Sequence, residues 1–235
     1  MMTAGPKHHL TAVTIIKANS IRVPEKNFRT MGQRPLFRWT LDTLSSIDEF
    51  DAIVVDTDAK DELESFGLPN DPRLVIRDRP DALLGNHVTA NALLDSILAD
   101  HPSDTYLMTH VTSPFVSSTS IRRAIAAYDA ATQAKRADSL MSVTRMQSRF
   151  YRQDGSAVNH DPRHLVPTQD LEPWFEENSA LYVFSAASFN RTGSRIGQTP
   201  LMFPLPALEA VDIDTLHDWT LANTIATGLQ YRNEN

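Results

Sequence analysis

The sequence predicts one α/β domain, residues 1–235, built on a doubly wound, mostly parallel sheet. Two observations predict it. Short β-branched runs alternate with segments of about a dozen residues whose apolar positions recur at helical spacing. The composition, 41 % hydrophobic and 22 % charged over 235 residues, suits a chain that buries one sizeable core. Such alternation makes βαβ units, and βαβ units make parallel sheets with helices on both faces.

Residues 10–16 (LTAVTII) read as the first buried strand. The stretch 17–27 (KANSIRVPEKN) is a loop, because Pro24 prevents a continuous helix. After a turn at Gly32, Pro35 opens a helix over 35–46, where its missing N–H is no loss; Phe37 and Trp39 fall on its core side. A second strand over 52–55 ends in Asp56-Thr57-Asp58, and Asp58 is a candidate cap for a helix through 66. A third strand at 73–76 runs into the loop RDRPDALLGN, and a helix over 88–99 leads to a fourth strand at 105–109. The loop HVTSPFVSS and a helix through 131 follow, then a fifth strand around 142–145. Between 148 and 177 the rhythm fails; three prolines and little periodicity mark an inserted lid or dimer-contact segment. Trp174 and Phe175 within it suit a contact between copies. Strands resume at 180–184, 201–203 and 210–213, before a last helix from 215.

No apolar run approaches the roughly 18–20 residues that span a bilayer. The N-terminal run is too short for a secretory signal, so a cytoplasmic protein is expected. The absence of cysteine excludes disulfides, thiolate metal sites and a cysteine nucleophile. A net charge of −7 argues against nucleic acid or an anionic membrane as partner. Its distribution says more. Through Arg38 the chain carries seven Lys/Arg against Glu25 alone, a local +6, and the remainder is −13. A basic first loop on an acidic protein fits a small anionic ligand.

That loop offers Lys17, Ser20, Arg22, Lys26 and Asn27 directly after a strand. Nucleotidyl transfer needs fixed cations and backbone N–H groups around phosphates as charge builds on the departing pyrophosphate. The pattern is not a GxxxxGK[ST] loop. Asp212-Ile213-Asp214 puts two carboxylates at i and i+2, on one face of a strand, where they can hold Mg²⁺ together with phosphate oxygens. Alternatively Asp214 caps the last helix while Asp212 meets solvent. His110 ends the fourth strand, either as a base or as a hydrogen-bonded scaffold residue. Arg145 and Arg149, after the fifth strand, suit an acceptor carboxylate or, alternatively, acids of the insertion. The remaining histidines have no zinc-site spacing.

Several segments, read in order, resemble the acylneuraminate cytidylyltransferase family: the first strand and loop, PEKN, PLFRWTLDTL, RPDALL, TSP, SVTR, ENSALYVF and EAVDIDTLHDW. The resemblance covers nearly the whole chain. It implies a Rossmann-like fold of the nucleotide-diphospho-sugar transferase type, with the middle segment serving dimerisation. It also implies CTP as nucleotide, Mg²⁺ as cofactor and a sialic-acid-like nonulosonic acid as acceptor, with pyrophosphate released. By position, Lys17, Asn19, Ser20, Arg22, Lys26, Asn27, Arg79 and Pro80 would face the nucleotide, and His110, Thr112, Ser113, Arg145 and Arg149 the acceptor. Asp212 and Asp214 would bind the metal, and Lys26, Arg22 and Asp214 would form the catalytic set.

The chain departs from the family in places that bear on substrate. IKANSIRVP replaces IPAR and its glycine-rich sequel, so Lys17 stands for a proline and Asn19 for an arginine. His110-Val111 replaces a glutamine-proline, Val116 an arginine, and Asn86 stands near a usual aspartate. Ser20 and Arg22 are similar instead to the related deoxy-octulosonate enzymes. Deoxy-octulosonate or a phosphonate therefore remains open as acceptor, as does a weakened nucleotide-binding homologue.

Overall fold

The computed structural model describes residues 8–233 apart from Asn86, with side chains up to residue 229. The chain alternates as the sequence predicts. Strand β1 (Leu10–Ile16) is followed by a two-residue hairpin, β2 (Thr30–Met31) and β3 (Arg34–Pro35), that the periodicity does not announce. Gly32 turns it at φ 63°, a left-handed value natural to glycine, and its N–H donates to Asn223 of the last helix. Then come α1 (Leu36–Ser45), β4 (Ala52–Thr57), α2 (Lys60–Ser65), β5 (Leu74–Asp78), α3 (Ala90–Asp100) and β6 (Thr105–Thr109). The second half holds α4 (Ser118–Gln133), β7 (Ser139–Met146), β8 (Trp174–Ser185), α5 (Ala186–Thr192), β9 (Pro200–Pro204) and α6 (Leu216–Asn233).

Among the described residues seven strands form one sheet in the order β5-β4-β1-β6-β8-β7-β9. Strand β8 runs antiparallel to both its neighbours, and the other pairings are parallel. The period-2 alternation of strands sorts side chains to two faces. Ala12, Ile53, Leu107 and Val183 join residues of α1 and α4 in one core cluster. Val13, Val54, Met108 and Phe184 join residues of α3 and α5 in another. The sheet is therefore doubly wound. Phe37 and Trp39 are buried, as expected.

Three sequence expectations are corrected. Residues 210–213 form no strand: the chain turns at 207–210 and continues without regular secondary structure, anchored by the Ile213 N–H to the Thr112 carbonyl at 2.9 Å. Asp58 does not cap α2, whose N-cap is Ala59; a buried arginine and the first loop engage its carboxylate instead. Finally, residues 174–177 of the expected insertion belong to β8, pairing with the far end of β7 past a register shift between Met141 and Val143.

The first loop contains a strained point. Glu25 sits at φ 53° in the turn before Lys26, and its carbonyl accepts from the N–H groups of Phe28 and Arg29 at 3.0 and 2.9 Å. A side chain in that left-handed region costs about 1 kcal/mol that glycine avoids. Glu25→Gly is expected to raise unfolding free energy by roughly 0.5–1 kcal/mol in urea titration. A drop would mean the Glu25 side chain contributes more than its conformation costs.

Candidate active site

Strand order reverses between β1 and β6, and in open α/β sheets ligands bind outside the carboxyl ends at such a point. A cleft of about 420 Å³ lies there. One wall is the loop after β1, a second is the approach to α3 with Val88, Ala90 and Leu93, and the floor is His110, Val111 and Thr112 after β6.

The first loop is held in shape from several directions. Its Ala18 N–H donates to Asp58 at 2.6 Å, and Asn27 Nδ2 donates to the Lys17 carbonyl at 2.8 Å. Val23 plugs into a core cluster with Ile213 and Trp219, which ties the loop to the segment carrying Asp212 and Asp214. Lys17, Asn19, Ser20, Arg22, Lys26 and Asn27 all line the cleft, as the sequence predicts. Lys26 is buried, its ammonium donating to the Ile213 carbonyl at 2.6 Å and lying 3.7 Å from Asp214. Burial lowers the Lys26 pKa from its ordinary value, opposed by the charges of Asp214 and Asp212. Arg22 bridges Asp214 at 2.7 Å.

Ile213 is fully buried, so the residues on either side of it turn away from that core. The carboxylate pair predicted on a strand thus lies on a segment without regular secondary structure. Burial pushes the Asp212 carboxyl up, Thr112 lowers it through a hydrogen bond, and the neighbouring Asp214 charge raises it further. Asp214 is not the cap of α6. Thr215 Oγ1 accepts from the Asp218 N–H at 3.2 Å while Asp218 accepts from the Thr215 N–H at 2.8 Å, a reciprocal capping box spelled T-x-x-D in the sequence. The Asp214 carboxylate is left to the loop cations.

His110 packs edge-on to Tyr182, their ring centroids 6.5 Å apart. Its pKa falls to about 4, first through burial and then through the charges of Arg195 and Lys26, so at neutral pH it is an uncharged hydrogen-bonding group. Ser113 is buried behind the floor, its N–H donating to the His110 carbonyl at 3.1 Å.

Four expected site residues lie elsewhere. The Arg79 side chain is fully buried, paired with Asp56 at 2.6 Å and Asp58 at 3.1 Å and donating to the Ile16 carbonyl at 3.2 Å. In this arrangement it supports the first loop from beneath. Pro80 is exposed, at the start of a short 3₁₀ turn. Arg145 donates to Gln147 and Arg149 to the Val166 carbonyl, both at 2.7 Å, so neither meets an acid of the insertion. The sequence reading missed Arg195 beside Tyr182, and missed Asp58 as the anchor of Ala18. A polar residue just past a strand reads as readily as a cap, which hid the second.

A family model described as cytidylyltransferase matches residues 13–200, ending before Asp212 and Asp214. A curated relative, the N-acylneuraminate cytidylyltransferase of Oncorhynchus mykiss, is 24 % identical over 226 residues, covering 93 % of this chain and 50 % of that protein. The chain thus spans about half the length of that relative. In fold it is similar to 4-diphosphocytidyl-2C-methyl-D-erythritol synthase from Anaerococcus prevotii, with a TM-score of 0.64, 15 % identity and coverage of 93 % and 96 % of the two chains. It is also similar to a CMP:2-keto-3-deoxy-manno-octonic acid synthetase complexed with CTP, at a TM-score of 0.62, 11 % identity and coverage of 92 % and 98 %. The chain is a divergent member of the cytidylyltransferase family.

Proposed function

We propose that the chain transfers the cytidylyl group of CTP to an acidic, sugar-like acceptor and releases pyrophosphate. The observation that carries this reading is the cluster at the carboxyl end of β1, where Arg22 and Lys26 converge on Asp214 with Asp212 beside it. Cations and carboxylates so paired, on the rim of a cleft at the strand switch point, match what a metal-assisted triphosphate site requires.

In this reading the triphosphate lies along the loop from Lys17 to Asn27. The acceptor's oxygen attacks the α-phosphorus in line, and the bond to the pyrophosphate oxygen breaks. Lys26, held by the Ile213 carbonyl, and Arg22, drawn off Asp214 onto phosphate, offset the charge on the departing group. The loop has no glycine between residues 17 and 27, so its backbone approaches phosphate less closely and more falls to these side chains.

Asp212 and Asp214 fit a magnesium ion. Burial and the neighbouring Asp214 charge both raise the cost of ionising Asp212, which a divalent cation relieves. Among the described residues no group of three or more acids or histidines makes a complete metal cage, and Mg²⁺ at phosphate-transfer sites commonly takes one or two carboxylates plus phosphate oxygens and water. When bound, it would supply Lewis-acid stabilisation of phosphate charge.

The acceptor is an acidic sugar of the nonulosonic type. A second copy of the chain packs on the insertion and the adjoining start of β8, where Leu165, Val166, Trp174 and Phe175 are exposed apolar side chains. Among the described residues no helix is long and apolar enough to cross a membrane, consistent with soluble substrates.

Pyrophosphate release with CTP and Mg²⁺ tests the reading, using N-acetylneuraminate, deoxy-octulosonate and a phosphonate as acceptors and UTP as the nucleotide control. Release with CTP and one acidic sugar is expected. Release with the phosphonate alone moves the acceptor class. CTP binding without release for any acceptor makes the chain a weakened homologue.

A further inference from the structure

We propose that Arg195, beside the floor of the cleft, is the residue that selects an anionic acceptor by binding its carboxylate; this rests on the cytidylyltransferase reading above. The observations concern its surroundings. Arg195 is half-buried on the segment after α5, with its guanidinium stacked over the Tyr182 ring at 4.3 Å. Tyr182 is the ring against which His110, in the cleft floor, packs edge-on. Arg195 and His110 thus share one aromatic neighbour.

What Arg195 lacks is an acid. Arg22, Arg77 and Arg79, the other arginines at the carboxyl ends of β1, β4 and β5, each pair with an aspartate at 2.7 Å or less. Among the described residues no carboxylate pairs with Arg195. Its guanidinium reaches Asn91 Oδ1 at 3.4 Å and the Tyr182 hydroxyl at 3.3 Å, and its buried Nε has no partner. These are long contacts for a group that forms short bonds to anions. Glu177 comes nearest, through the phenol: the Tyr182 hydroxyl donates to Glu177 and accepts from Arg195. Glu177 is exposed, so its charge is largely solvated and leaves the guanidinium undersatisfied.

The position also separates the two substrates. Arg22 and Lys26 mark the phosphate end of the cleft, on the loop after β1. Arg195 lies toward the β8 side, where Asn91 joins it to the start of α3, the element that supplies Ala90 and Leu93 to the wall. A carboxylate there meets a planar fork already oriented by Tyr182, a geometry that a lysine cannot reproduce. Arg145 and Arg149, which the sequence offers for this task, donate instead to Gln147 and the Val166 carbonyl; Arg149 Nε is also buried without a partner, but neither arginine shares a ring with His110 as Arg195 does.

The test compares wild type with Arg195→Ala and Arg195→Lys. Calorimetry measures binding of N-acetylneuraminate, deoxy-octulosonate and the methyl ester of each, with CTP binding measured alongside. For the free acid that binds wild type, Arg195→Ala is expected to weaken affinity about 10- to 100-fold, the size of a lost charge-assisted pair. Arg195→Lys should recover part of the loss, the methyl ester should bind wild type as weakly as the free acid binds Arg195→Ala, and CTP affinity should be unchanged. Equal binding of free acid and ester by wild type overturns the proposal, and so does a parallel loss of CTP affinity in Arg195→Ala. Failure of wild type to bind either acid overturns it as well. Absence of pyrophosphate release despite acid and CTP binding refutes the transferase reading instead, and leaves the Arg195 assignment to the binding data.

Discussion

Asp214→Ala is expected to lower pyrophosphate release by at least about a thousandfold while leaving the fold standing. The magnitude follows from what that carboxylate organises. It holds Arg22 at 2.7 Å and Lys26 at 3.7 Å, and it is one of the two aspartates that suit the metal. Removing a single preorganised charge-stabilising group from a transfer site costs about 10² to 10³ in rate, and this substitution disturbs two cations and a metal position together. The fold survives because Asp214 is half-exposed, an exposed ion pair contributes at most about 1 kcal/mol, and the cap of α6 belongs to Thr215 and Asp218. Initial rates with saturating CTP, read beside a thermal unfolding curve, separate the two effects. Normal turnover would remove Asp214 from the site. Lost turnover together with a lowered melting temperature would make its role structural.

Much of this was legible in the sequence because it rests on local pattern. The alternation that predicted a doubly wound sheet is written in β1, β4, β6 and the helices between them, where burial and period agree. The loop cations were legible too, since a basic run after a buried strand has few structural uses. What escaped depends on tertiary partners. Residues 210–213 carry strand-like side chains, yet the turn at 207–210 takes them out of the sheet, and Ile213 with Val211 packs them into a separate core cluster. The aspartates of that segment still flank the buried Ile213, and the charges of both act on Lys26. Arg79 read as a nucleotide contact because sequence cannot reveal that Asp56 and Asp58 lie beneath it. Arg195 offered no signal at all: it follows a short helix in a serine- and glycine-containing stretch, and its significance appears only once β8 brings Tyr182 beside His110.

The buried pairs under the first loop lead to the largest expected effect on stability. Asp56 is completely buried between two arginines, accepting from Arg77 at 2.5 Å and from Arg79 at 2.6 Å. Two charged guanidinium groups and one carboxylate in a dry position are tolerable only while they neutralise one another. Asp56→Ala leaves Arg79 buried with Asp58 as its one remaining acid, and leaves Arg77 with the exposed Asp100. Breaking such a pair from one side is expected to cost about 3–5 kcal/mol. Asp56→Asn should cost less, because it keeps an acceptor oxygen for one arginine. The damage should also reach the candidate site, since Arg79 donates to the Ile16 carbonyl and Asp58 holds the Ala18 N–H where the first loop begins. Urea unfolding of Asp56→Ala, with CTP affinity measured under conditions where the variant is folded, examines both links. A loss below about 1 kcal/mol would mean that water or relaxation solvates the arginines, and that the pairs are not what holds the loop. A large loss of stability with unchanged CTP affinity would keep the buried pairs as scaffold and sever them from the nucleotide site. The expected result is loss of both, because Asp58, which shares Arg79 with Asp56, fixes the backbone at the entrance to the loop.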